Sequence, residues 1–390
     1  MASFVLDVAP QGTTSFKLSW TVMTPGEDSL TPEAYLVDGG EVIQAAANVR
    51  SQLRLIALMG DKGNPAEFAP LLKRLAHYGR SLFLRLMPDQ DPATGEISEI
   101  QQQLQDSMKQ SGEARSDLKV RLATDQLFVP WGFVFSGAKD ELPETPKLSL
   151  ADMKGFWLAH FRISVVYGGD AKLPLERKTQ SCPLFALHED LFGLAVGELD
   201  KLDKQSAGRL DILLQGKPEP AMDWDTFEDV WTQVRDDHDS VLYVFGHSDG
   251  QYVQLKVVQN DPKWVLSTAD LVRFRKTRRG TASIFMLNGC RTAAPKPESL
   301  EVPISANFLK ETRKPGYYGF IGTETVVSNI VACRYGTEFL WRLFRQGKSV
   351  GEAFDELLSD ETLFPHNTLY TCFADRKFRF VSAPPAGNGS

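Results

Sequence analysis

Apolar and polar positions along this chain change period several times, and the changes divide it into elements. Residues 3 to 23 alternate loosely around Pro10-Gln11-Gly12, which predicts a hairpin. Apolar positions then recur at three- and four-residue steps from Glu41 to Met59, stopped by Gly60, and again from Asn64 and Pro65 to about Gly79. Leu118, Val120 and Leu122 alternate with Lys119 and Arg121, a strand that runs on towards Phe128 to Phe135, and Ile163 to Tyr167 predicts another.

The polar stretch from Gly168 to Ser181 separates this mixed half from a more regular alternation of strand and helix. Leu210 to Leu214 is a short apolar run, Trp224 to Val234 has helical spacing, and Val241 to Phe245 is a buried strand. Ser267-Thr-Ala-Asp270 has the form of a capping box, opening a helix that leads to a second buried strand, Ser283 to Arg291. A strand, a helix and a strand in succession predict parallel pairing through a right-handed crossover. Further on come a helix near Ile304 to Arg313, a strand at Tyr317 to Ile321, and a long helix from Ile330 to Arg345 ended by Gly347. In that long helix Ala332, Gly336, Phe339, Leu340 and Leu343 form a core-facing stripe, with Cys333 beside it. Ser349-Val-Gly-Glu352 caps another helix, and Tyr370 to Ala374 and Lys377 to Val381 predict the last strands. The expected organisation is an N-terminal mixed α/β region over 1–175, an α/β domain over 176–382, and a disordered tail over 383–390.

Composition narrows the function classes. With 42% apolar residues, 24% charged residues and a net charge of −7, the chain is globular and poorly suited to a phosphate backbone, so direct nucleic-acid binding is not expected. The local basic cluster of Arg273, Lys276, Arg278 and Arg279 is expected to be a solvated helix end. The four cysteines, at 182, 290, 333 and 372, lie far apart with no Cys-x-x-Cys pair, so neither a structural metal nor a cofactor is expected. No leader and no apolar run long enough for a membrane span is seen, which makes the cytosol the default and keeps the thiols reduced.

The candidate chemistry lies where the two buried strands end. Val241-Leu-Tyr-Val-Phe-Gly246 delivers His247, and Ser283-Ile-Phe-Met-Leu-Asn-Gly289 delivers Cys290. In an open parallel sheet pockets form beyond the carboxyl ends of strands, so neighbouring strands would bring the imidazole to the thiol. A cysteine hydrolase needs that pair, with backbone N–H groups aimed at the oxyanion; the expected donors are the N–H groups of Cys290 and Ser248. The glycines at 246 and 289 are expected to admit substrate backbone. His77, His160, His188, His238 and His366 have no comparable setting. Gly246-His-Ser-Asp-Gly250 also satisfies the G-x-S-x-G elbow, which would make Ser248 the nucleophile of a serine esterase. That elbow must turn directly into a helix, whereas Gln251 to Val258 favours extended chain.

Several of these stretches, in order, resemble the CHAT family, caspase-like domains related more distantly to separases and caspases. They are Val-Leu-Tyr-Val-Phe-Gly-His247, Val265-Leu-Ser-Thr-Ala-Asp-Leu271, Phe-Met-Leu-Asn-Gly-Cys290-Arg-Thr, Gly319-Phe-Ile-Gly-Thr-Glu324 and Phe339 to Phe354. The resemblance covers about residues 235–380, is weaker over 118–170, and is absent before that. It implies an α/β fold, a caspase-like three-layer sandwich with a mostly parallel central sheet. It also implies a Cys-His dyad endopeptidase, a thiol protease acting on protein substrates and often switched on by a protein partner. Ser248 stands where the family usually has glycine, and Thr325, Ser328 and Asn329 stand where it often has Trp and Asp. By analogy with caspases, Asn288 would floor the pocket for the residue before the scissile bond, and Asp249 and Glu324 would favour a basic side chain there. The non-enzymatic alternative is a degenerate caspase-like scaffold that binds a partner.

Overall fold

The computed structural model describes residues 2–23, 33–59, 64–88, 98–110, 115–124, 127–137, 142–167, 176–179, 183–215, 220–233, 240–248, 252–256, 264–267, 283–294 and 317–382. Two compact units divide the chain. One is Met1–Gly169 with Leu358–Thr371, and the other is Asp170–Leu357 with Cys372–Ser390. The short segment near the C-terminus belongs to the first unit although it is far from the rest of that unit in the chain.

In the first unit, β1 (Ser3–Gln11) and β2 (Ser15–Met23) form the expected hairpin, closed around Gly12 at φ +82°. β3 (Glu33–Asp38) adds antiparallel to β2. Asp38 then caps α1 (Gly39–Ala57), its carboxylate accepting the Glu41 N–H at 2.9 Å, and Asn64 caps α2 (Pro65–Leu86) in the same way. α2 runs seven residues past the expected stop at Gly79. That glycine ends nothing; it lets the helix approach the segment 133–135, where a Cβ would lie 2.5 Å from the Phe133 carbonyl oxygen. α3 (Glu99–Gln110), not among the expected elements, buries Ile100, Leu104 and Met108 at four-residue steps. β4 (Ser116–Leu122) pairs parallel with β1, and Arg121 meets Asp7 across the pair at 2.6 Å. The expected continuation of β4 to Phe135 is instead a loop with a 3₁₀ turn at Trp131–Phe133. α4 (Trp157–His160) leads into β5 (Phe161–Tyr167), which completes a mixed sheet of order β3-β2-β1-β4-β5.

The second unit opens with β6 (Glu176–Thr179), β7 (Leu184–Leu187) and α5 (Glu189–Leu202). The run Leu210 to Leu214 is the end of a helix, α6 (Lys204–Leu214), and α7 (Trp224–Gln233) lies where helical spacing predicted it. β8 (Ser240–Phe245) is followed by β9 (His247–Ser248), β10 (Val253–Gln254) and β11 (Val265–Leu266), a small antiparallel sheet. β12 (Ser283–Asn288) and β13 (Tyr317–Thr323) precede α8 (Asn329–Phe344), α9 (Val350–Leu358), β14 (Tyr370–Ala374) and β15 (Arg379–Ser382). The central sheet has the order β14-β13-β12-β8-β7, and β7, β8, β12 and β13 are mutually parallel. Its inner strands, Val241–Phe245 and Ile284–Leu287, are buried throughout, the unbroken apolar run of a sheet covered on both faces.

α8 carries the expected stripe, with Ala332, Phe339, Leu340 and Leu343 all buried. Its other side is covered too. Glu338 is buried and accepts from Ser206 Oγ, Arg209 and Arg342, the last at 2.6 Å, a charge cluster fastening α8 to α6. Ser349 and Glu352 cap α9 reciprocally, as expected from their spacing. The expected helices after Ser267 and near Ile304, the basic cluster, Cys182 and the tail 383–390 lie outside the described residues. No helix among the described residues is long and apolar enough to cross a membrane.

His160 makes the first unit acid-labile. It is buried, its Nε2 accepts the Gly155 N–H at 3.3 Å, and burial first, then the nearby Lys154 charge, lowers its pKa to about 4. The unfolded chain therefore binds a proton that the folded state refuses between pH 6.5 and about 4, and stability falls as pH drops through that window, by up to about 3 kcal/mol. Urea midpoints measured from pH 7 to pH 4.5 should decline, and His160→Asn should flatten the decline; an equal slope in the variant would refute the assignment.

Candidate active site at the carboxyl edge of the central sheet

The β8–β12 ladder runs from Ser240 opposite Ser283 to Phe245 opposite Asn288. Both strands continue with a glycine and then with the reactive residue. The ladder thus carries His247 and Cys290 to equivalent positions at one sheet edge. The two glycines make this possible, though not by admitting substrate as expected. A Cβ on Gly289 would lie 2.6 Å from the Gly246 carbonyl oxygen, and one on Gly246 would lie 2.4 Å from the Gln254 carbonyl oxygen. They let protein backbone approach protein backbone.

His247 is exposed, on the open face of β9, and Ser248 is buried. β9 turns back antiparallel onto β10, with Ser248 opposite Val253, so no helix follows and the elbow of a serine esterase is not formed. Cys290 is partly exposed, whereas Cys333 and Cys372 are buried. Burial raises the Cys290 thiol, and the Val327 N–H and the Arg291 charge only partly offset this, so the resting sulfur is protonated.

The segment after Cys290 is held by several hydrogen bonds. Arg291 adopts a left-handed φ of +57°, and its N–H is bonded to the Thr325 carbonyl at 2.9 Å. Thr292 Oγ1 donates to the Leu287 carbonyl at 2.8 Å and accepts the Thr323 N–H at 3.0 Å. Ala293 donates to the Thr323 carbonyl at 2.9 Å, and Thr323 Oγ1 donates to the Gly289 carbonyl at 2.5 Å. The Cys290 N–H has no partner among the described residues.

The expected pocket residues are arranged differently. Asn288 is buried, and both its amide hydrogens are used internally, one on Tyr243 Oη at 2.9 Å and one on the Ala332 carbonyl of α8. It anchors the sheet to a helix and has no donor left for a pocket floor. Glu324 is 1% exposed, a buried acid and not a solvated one, and Asp249 lies outside the described residues.

One residue set aside in the sequence lies close to His247. His188 follows β7, and its N–H donates to the Phe245 carbonyl at 2.7 Å. Its Nδ1 caps α5 by accepting the Leu191 N–H at 3.4 Å, and its buried Nε2 has no partner. Burial lowers its pKa, Asp190 pulls it up, and His247 and Lys256 lower it further. Its position at a strand's carboxyl end could have marked it. But the four apolar residues of β7 are too short a run to signal a strand.

Comparison of the chain with protein-family models and with curated proteins returned no match.

The thiol chemistry has a direct readout. Among the three described cysteines, iodoacetamide mapped by peptide mass spectrometry should modify Cys290 first. Its rate should climb with pH and level off only above the ordinary thiol range. Equal labelling of Cys333 or Cys372, or a plateau below pH 7, would contradict this geometry.

Proposed function

We propose that this chain is a caspase-like cysteine endopeptidase of the CHAT type, acting in the reducing cytosol on one or a few protein substrates. The observation that carries the reading is the parallel β8–β12 register, which ends both strands in a glycine followed by one member of the dyad. The parallel β7-β8-β12-β13 core, with α5, α6 and α8 packed together, supports an α/β fold of this kind.

In this reading His247 takes the thiol proton as Cys290 Sγ attacks the scissile carbonyl. The carbonyl oxygen gathers charge against the Cys290 N–H, and with it the expected second donor, the Ser248 N–H. The imidazolium then protonates the departing amine, leaving a thioester that water, deprotonated by the same imidazole, hydrolyses. A partly buried, protonated sulfur is a resting state. Engagement by a substrate or by an activating protein partner would have to bring His247 to it before the thiolate forms. The dyad needs no metal or cofactor.

Cleavage of a peptide library followed by mass spectrometry tests the reading. Cys290→Ala and His247→Ala should each lower kcat/KM by about a thousandfold or more, and the double variant should be no worse than either, as for groups that act as one unit. Undiminished cleavage by Cys290→Ala would overturn it. So would cleavage abolished only by Ser248→Ala, which would point to the esterase.

A further inference from the structure

The Cys290 N–H is the only backbone donor of the post-strand turn whose direction matters to an oxyanion, and its direction is set from the other side of its own peptide. Gly289–Cys290 is a trans peptide, so its carbonyl and its N–H point in opposite directions. The Gly289 carbonyl is held by Thr323 Oγ1 at 2.5 Å, with Thr292 Oγ1 a longer second contact at 3.4 Å. Both threonines are fully buried, and Thr323 is itself locked at the end of β13 by its N–H on Thr292 Oγ1 and its carbonyl under the Ala293 N–H. The carbonyl therefore has one seat, and the opposed N–H has no partner among the described residues.

We infer that Thr323 is a positioning residue for the oxyanion site: its hydroxyl pins the Gly289 carbonyl, turns the Cys290 N–H to the side where charge develops, and polarises that N–H through the shared peptide. A hydroxyl on the oxygen of an amide draws electron density from its nitrogen, so the N–H on the far side donates more strongly, and burial amplifies the effect. This goes beyond the dyad reading and rests on it. Thr323 touches neither sulfur nor imidazole in this scheme; it acts through one peptide group.

The test compares Thr323→Val, which keeps the shape and removes the hydroxyl, with Thr323→Ser, which keeps the hydroxyl. For a peptide chosen by the library, Thr323→Val should lower kcat by about tenfold with KM little changed, since a donor made weaker in the transition state costs turnover and not binding. A peptide aldehyde of the same sequence, whose adduct presents an oxygen to this donor, should bind about tenfold less tightly. Alkylation of Cys290 by iodoacetamide, which develops no oxyanion, should be unchanged, and Thr323→Ser should recover both losses. In ¹⁵N-cysteine-labelled protein the Cys290 amide proton should move upfield in the valine variant and return in the serine variant. Unaltered turnover and aldehyde affinity, an alkylation rate that falls in step with kcat, failure of serine to rescue, or an unmoved amide proton would overturn the inference. Wild-type protein that cleaves no peptide, or cleavage surviving in Cys290→Ala, would instead sink the dyad reading, while the amide shift still decides whether Thr323 polarises the peptide.

Discussion

The parallel pairing of β8 with β12 is the constraint on which the candidate site depends. Two adjacent strands can carry their chains past the end of a ladder and still stay side by side only if nothing stands between the backbones. Here the next position on each is a glycine, and a Cβ at either would overlap a carbonyl oxygen. An apolar run buried on both faces does little to choose its own register, because sliding it exchanges one apolar contact for another. Asn288 supplies the choice. It is the polar residue at the end of β12, and its amide can satisfy both donors only where Tyr243 and the Ala332 carbonyl lie within reach. A slip of β12 would leave a buried amide unpaired, at a cost of about 1–3 kcal/mol per unmet group.

The same logic governs the turn that follows. Arg291 is held at a φ that ordinarily costs a side chain about 1–2 kcal/mol. It persists because the groups around it are bonded on both sides, Arg291 N–H to Thr325 and the Thr292 and Thr323 hydroxyls to backbone carbonyls. Strain held by hydrogen bonds on both sides of a turn at a sheet edge is compatible with geometry that serves chemistry. The partly buried Cys290 sulfur belongs to this description. The partial burial that raises the Cys290 thiol disfavours the thiolate, so in the proposed reading ionisation depends on the His247 imidazole.

Much of the fold was legible along the chain. The β1–β2 hairpin, the Asn64 and Ser349 caps, the α8 stripe and the strands β8, β12 and β13 follow from local periodicity and local hydrogen-bonding chemistry, which depend on neighbours a few residues away. The departures have nonlocal causes. Gly79 has the residue type of a helix stop and is a contact point inside α2. Leu210 to Leu214 has the apolar content of a strand and belongs to a helix whose buried face lies against α8. β7 is too short to announce itself, and with it His188 was passed over.

By itself, the amino-acid order determined which elements form, which faces are apolar, and that a histidine and a cysteine each end a buried strand, because periodicity and strand-end placement are properties of contiguous residues. It could not determine what each polar side chain does. Asn288 spends its amide hydrogens on Tyr243 and α8, Glu324 is buried, and Thr323 grips the Gly289 carbonyl from another strand. Those roles depend on which groups come within about 3 Å of one another. Only the packing of β12 against β8, β13 and α8 decides that, because hydrogen bonds in a core are made between residues that the chain itself keeps far apart.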